Sequence, residues 1–208
     1  LDRLERYLGW IAIPQLGILL VTLQAAGFIF VMMDPEWITR LALVPGLVSR
    51  GEVWRLVTFL ALPVSLSPLW VFFALWFLYF VLGIIESEWG AFKTTLYTLV
   101  SVLVTIAFSF AFNYPVASVS HFQSTLFLAA AALYPEQEVS LFGIVPVKMK
   151  WLAAFTLVLV GIEFFRGDWV DRLFLVAIFS NYLLFFGPAL LGSARQRYRA
   201  WDYRRRLR

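Results

Sequence analysis

Apolar residues run through this chain in long stretches, and polar ones are gathered into short interruptions between them. From Leu8 to Met33 no charged residue appears, enough for one crossing at about 20 residues per bilayer. Pro14 falls in its first turns, where a missing N–H costs least, and Asp34-Pro35 ends it. Leu69–Ile85 is a second span, with Glu86, Glu88, Trp89 and Lys93 marking its exit. Thr94–Tyr134 then lacks Asp, Glu, Lys and Arg over a length that suits two spans. Its turn signal is Asn113-Tyr114-Pro115, which splits it into Thr94–Phe112 and Ser120–Tyr134. Trp151–Phe165 is a fifth span, extended if Lys148 and Lys150 snorkel to the surface. Arg166–Arg172 is a charged turn, and Leu173–Leu191 a sixth span loosened at its end by Gly187-Pro188.

The interruptions differ in kind. Leu1–Tyr7 has helical spacing of Leu1, Leu4 and Tyr7 and is predicted to lie in the interface. Asp34–Pro68, about 35 residues long, mixes Trp37, Ile38, Leu41, Leu43 and Val44 with Arg40, Arg50 and Arg55. That amphipathic content places it half-submerged at the lipid headgroups, apolar side down. Glu136–Lys150 is a loop with an apolar interior, and Ser193–Arg208 carries seven Arg against one Asp.

Composition turns these runs into a fold class. Of 208 residues 62% are hydrophobic and 14% charged, too few charges for a soluble surface. Lipid must be the solvent, where backbone groups pair internally, so the runs are helices; a barrel would alternate at period two. The expectation is an all-α integral membrane protein of six transmembrane helices with a long amphipathic first loop. Residues 1–8 form an interfacial segment, 9–191 the membrane domain and 192–208 a basic tail. The first run is too long for a cleaved signal peptide and is expected to remain as a span. With no Cys and one His, His121, a thiolate or multi-histidine metal centre is excluded, and no cofactor is expected. With both termini cytoplasmic, that side holds twelve Lys and Arg residues and the other five, as the positive-inside rule requires. A bacterial inner membrane is the expected location. The net charge of +4, concentrated in the tail, suits anionic lipid rather than nucleic acid.

Four elements in order carry a family resemblance: Gly51-Glu52-x-Trp54-Arg55-Leu56-x-Thr58-x-x-x-x-Pro63; Gly83-x-x-Glu86-x-x-Trp89-Gly90; Leu133-Tyr134-Pro135; and Phe142-Gly-Ile-Val-Pro146-Val-Lys-Met-Lys150-Trp151. The pattern resembles the rhomboid family of six-span membrane proteins over about 35–187, and the Trp-Arg element is also found in the related derlins. The resemblance implies a rhomboid-like bundle in which Trp54 and Arg55 hold the first loop against the helices and Glu86 and Gly90 shape the next turn. It also implies where catalysis would sit. Active rhomboids use a Ser in Gly-x-Ser-Gly on the fourth span and a His on the sixth, with a His and an Asn from the second stabilising the oxyanion.

That chemistry is missing here. Counting back from Pro135 puts the nucleophile at Ser120, in Ser118-Val119-Ser120-His121, without either glycine. Counting back from Trp76 puts Ser67 and Val71 at the oxyanion positions, and Val71 has nothing to donate. The sixth span has Ser180-Asn181-Tyr182 but no His; neutral Asn is no base and a phenol a poor one. His121 directly follows Ser120, and neighbours at i and i+1 on a helix do not face each other. Ser120-x-x-Gln123 instead fits a capping box. Ser124, one turn on, and Asn181 are candidates for polar contact within the bundle, Asn181 meeting the Ser120/Ser124 face. Phe174, Phe179, Tyr182, Phe185 and Phe186 crowd the sixth span, while Ala129–Ala132 offers a small face on the fourth.

The resulting expectation is a rhomboid-like pseudoprotease that binds other transmembrane proteins as clients or as a scaffold. The alternatives are an accessory subunit of a larger membrane complex, an intramembrane serine protease with a non-standard dyad, and a transporter using Glu163.

Overall fold

The computed structural model describes residues 2–141 and 145–186. The chain enters through α1 (Asp2–Leu8) and a 3-10 turn (Gly9–Ile11) and crosses in α2 (Leu16–Met33). Pro14 is therefore not inside the first long helix but ahead of it. Proline disfavours helical backbone in the residue before it, and Gln15 enters α2 with φ +56°. Three short helices follow, α3 (Trp37–Leu41), α4 (Pro45–Val48) and α5 (Arg55–Thr58), then a 3-10 turn (Phe59–Ala61). Next come α6 (Pro68–Phe112), α7 (Ser120–Leu133), strands β1 (Glu138–Leu141) and β2 (Val145–Lys148), and α8 (Met149–Arg166). Helix α9 (Trp169–Phe186) is the last element described. Gly187-Pro188 and the Arg-rich tail lie outside the described residues.

Among the described residues three segments are long and apolar enough to cross a membrane: Glu5–Met33, Pro68–Phe112 and Trp169–Phe186. The second spans 45 residues and breaks at Gly90, with φ 78° and ψ 165°. Both flanks of that break meet the same short segment. The Gln15 N–H donates to Glu86 Oε1 at 2.8 Å and the Ile13 N–H to Thr95 Oγ1 at 3.0 Å. In one straight helix, residues 86 and 95 would stand about 13 Å apart along the axis. The chain therefore folds back at Gly90, and α6 is two helices.

The first loop does not float at the headgroups with its apolar side in lipid. Leu41, Leu43, Phe59, Ala61 and Leu62 are buried and share a core with Phe108, Val116, Phe174 and Ile178. The loop's turns leave backbone groups to be satisfied, and pairing with the bundle satisfies them: Leu43 and Val116 exchange both backbone hydrogen bonds at 3.0 and 2.9 Å. At Gly27 of α2 the loop comes closest, since a Cβ there would stand 1.9 Å from the Ala61 carbonyl oxygen. A second core surrounds α7, whose Ala129 and Ala130 are fully buried with Leu82, Ile85, Tyr97 and Met149. Phe186 of α9 joins it, so one aromatic helix meets the small face of α7.

The stretch expected as a loop, 136–150, holds two strands. Its strands pair antiparallel, Glu138 opposite Lys148 and Leu141 opposite Val145, and Val139 is buried. Each strand is four residues long, at the lower limit of a recognisable strand pattern.

Candidate functional site

Arg55 is what holds the first loop together. The α5 turn points it inward, where it is 5% exposed. Its Nη1 donates to the carbonyls of Thr39 at 2.6 Å and Ala42 at 2.8 Å, and its Nε to Glu52 Oε2 at 2.7 Å. A planar fork serves several acceptors at once, which a lysine does not. Trp54, the preceding residue, is 53% exposed. It does not hold the loop against the bundle, because adjacent residues of a helical turn point in different directions and Arg55 takes the inner one.

Glu86 accepts the N–H of Gln15, the residue that opens α2; a carboxylate there is favoured by the helix dipole. Gly90 is needed for its backbone rather than for space: no atom lies within 4 Å of where its Cβ would be, but positive φ with extended ψ is open to glycine almost alone.

At the start of α7 the capping box is absent. The residue preceding the helix is Val119, with no side-chain cap. The Ser120 N–H donates to Ser118 Oγ at 3.2 Å, and the Ser118 hydroxyl donates to that of Ser120 at 3.0 Å. Gln123 turns away to α2, where its amide donates to Gln24 Oε1 at 2.8 Å. A tertiary amide pair has displaced the local cap. Gln24 is 1% exposed, and among the described residues its own Nε2 has no partner. An amide in the middle of the first apolar run was the signal for it. Ser124 bonds back to the Ser120 carbonyl at 2.9 Å.

Asn181 does not meet the Ser120/Ser124 face. It is fully buried, and its amide donates to the Tyr97 carbonyl at 3.0 Å and Ser101 Oγ at 2.6 Å, both on the second half of α6. His121 likewise turns from Ser120. Its Nε2 stands 3.3 Å from Glu163 of α8, and its ring meets Phe174 of α9 edge-on.

Ser120, Gln123 and Ser124 line one side of a cavity of about 240 Å³, closed by Val64, Phe77 and Thr156. Phe77, Phe127 and Thr156 also border a groove of about 410 Å³ between the first half of α6 and α8. Its walls include Trp70, Phe73 and Phe155. Helix α8 packs on α7 and β2 rather than on α6, which leaves this side open. The groove is mostly apolar and shares Phe77, Phe127 and Thr156 with the cavity at Ser120. At its end the hairpin is clamped by Glu136, which receives Lys148 at 2.9 Å and Lys150 at 2.5 Å. Hydrogen bonds from Lys150 and then Lys148 hold the Glu136 carboxyl below its ordinary range, and Glu136 raises Lys148. Among the described residues no group of three His, Asp or Glu side chains could hold a metal ion.

Long apolar helices, a re-folding at Gly90 and lipid-facing aromatics define the class as a helical integral membrane protein. Within it, residues 15–189 match the family described as eukaryotic integral membrane protein (DUF1751), and the chain belongs to that family. No curated protein and no solved structure matches the chain. The expectation of a bacterial inner membrane is corrected by this membership: the family is eukaryotic. The charge asymmetry that suggested an orientation acts in bacterial and eukaryotic membranes alike, so it had no power to separate them.

Proposed function

We propose that this protein is a six-span, rhomboid-fold membrane protein without protease activity, whose lateral groove holds a transmembrane helix of another protein. The observation that carries the reading is the apolar groove between α6 and α8, which adjoins the polar cavity at Ser120 through Phe77, Phe127 and Thr156. The grouping of the family with rhomboid-like families supports it. Six crossings are supported by how the tertiary contacts segregate. Residues 13–15, 86–95 and 134 meet at one end, and residues 43, 114–116 and 171 at the other.

The surroundings of Ser120 support a reading without hydrolysis. Its hydroxyl bonds to Ser118, the imidazole of His121 is directed at Glu163, and Asn181 is committed to α6. Among the described residues no base stands within reach to take its proton. Both termini are assigned to the cytoplasm by the Lys and Arg distribution, and the tail is assigned to anionic lipid there.

A photo-crosslinking residue at Phe155, inside the groove, tests the reading against one at Leu103, exposed on the other half of α6. Adducts from Phe155 should map within transmembrane segments of other proteins, and Leu103 should give none. Lipid adducts alone at both positions would remove the groove's role. Fluorophosphonate labelling at Ser120, lost in Ser120→Ala, would restore the protease.

A further inference from the structure

A second cavity, of about 400 Å³, lies at the opposite side of His121, where the ends of α7, α8 and α9 meet the 113–119 turn. It differs from the groove in carrying charges of both signs. Arg166 closes α8, and Glu163 sits one turn earlier; both line the cavity and both are exposed. Although i,i+3 spacing would let them pair, Arg166 makes no ion pair or side-chain hydrogen bond among the described residues. Glu163 has only His121 beside it, at 3.3 Å. The other carboxylate, Asp171, is already committed: it accepts the Tyr114 hydroxyl at 2.9 Å and the Asp168 N–H at 3.1 Å. Burial and then the Asp171 carboxylate push Tyr114 up to about 12, so its phenol stays a neutral donor. The back wall is aromatic, with Tyr114 and Phe174 at 4.9 Å between ring centroids. Leu159 and Ile162, 50% and 46% exposed, carry the cavity's rim onto the outer surface of α8.

What fits these features is constrained by charge. A purely anionic ligand would meet Glu163 and Asp171, and a purely cationic one would meet Arg166. A ligand with both signs a few ångström apart satisfies the pair. A guanidinium suits a phosphodiester, and a carboxylate beside aromatic faces suits an ammonium. The apolar rim on α8 lies where acyl chains would run. We propose that this cavity binds the headgroup of a zwitterionic phospholipid, with its phosphate on Arg166 and its ammonium between Glu163 and the Tyr114–Phe174 wall. The site is independent of the groove and of any client.

The test uses the full chain in detergent micelles, with short-chain phosphatidylcholine and phosphatidylethanolamine against phosphatidylglycerol and free phosphocholine. Binding is read by native mass spectrometry and by lipid-dependent thermal stabilisation. About 0.5 M salt screens the charge of the seven tail arginines, and every variant shares that tail. The wild type should prefer both zwitterionic lipids to phosphatidylglycerol by about tenfold, which is 1.4 kcal/mol. Arg166→Gln should weaken the zwitterionic lipids about tenfold. Glu163→Gln should abolish the preference, by weakening the zwitterions and admitting phosphatidylglycerol. Both side chains are exposed, so unfolding of the lipid-free variants should match the wild type. Equal binding of phosphatidylglycerol by the wild type, or a preference unchanged in both variants, overturns the proposal. Free phosphocholine binding as tightly as the lipid would show a soluble ligand and overturn it equally.

Discussion

Gly27→Ala isolates the contact between the first loop and the bundle. The new Cβ would lie 1.9 Å from the Ala61 carbonyl oxygen and 2.7 Å from its carbon. Close carbon–oxygen contacts run at about 3.3 Å or more, so the 3-10 turn must retreat by roughly 1.4 Å. The obstructing atoms are backbone and cannot rotate aside. Phe59 and Leu62, each 1% exposed, flank the turn, so retreat pulls two fully buried side chains out of register. Overpacking of this kind costs about 1–3 kcal/mol, and more when backbone must move. By the scaling for soluble chains of this size, that is a midpoint lowered by roughly 2–12 °C. Gly161→Ala is the control: it lies inside α8 with no atom within 4 Å of its Cβ, where alanine gains about 0.5–1 kcal/mol over glycine. The chain has nine Trp and no Cys, so intrinsic fluorescence in micelles is the natural readout. The two variants should move in opposite directions, and Gly27→Ala should also speed tryptic cleavage at Arg50. If Gly27→Ala unfolds with the wild type, the loop does not rest on α2 as described, and the reasoning fails.

Two further expectations concern the loop's ion cluster and the hairpin clamp. Arg55→Ala should cost up to about 3–5 kcal/mol, because removing one partner strands a carboxylate and two carbonyls. The partial exposure of Glu52 trims that figure, and Arg55→Lys should recover only part. Equal thermal midpoints for the Lys variant and the wild type would contradict the fork geometry. Glu136 has its folded value lowered, so its contribution is present above the ordinary carboxylate value and is lost as pH falls through the folded one. Lys148 has its value raised, so its contribution holds below the ordinary amine value and disappears only at more alkaline pH. Amide protection of the hairpin should therefore be flat near neutrality and fall in acid. Glu136→Gln should show the acid level at pH 7, and unchanged protection in that variant would refute the clamp.

Much of the architecture was legible along the chain because its causes are local. Charge-free runs must be helices in lipid whatever they touch, and Leu69–Phe112, with its turn at Gly90, announced itself by composition. Gly90 was singled out by the resemblance to the rhomboid pattern, and the structure supplies the reason, a positive φ. The functional details were not local. Ser120 and Gln123 have capping spacing, yet a buried Gln24 ninety-nine positions away captured the amide. Asn181 has no sequence cue telling α6 from α7, since a polar group on a crowded helix bonds to whichever backbone lies within about 3 Å. The sequence by itself determined that the chain lives in a membrane, where its long apolar runs lie, and that no histidine sits on the last one. Only the tertiary structure decided that the first loop is core rather than interface, that Trp54 faces outward, and that Arg166 and Glu163 share a cavity. Those outcomes depend on which surfaces meet, and meeting is a property of the whole packing rather than of any window of residues.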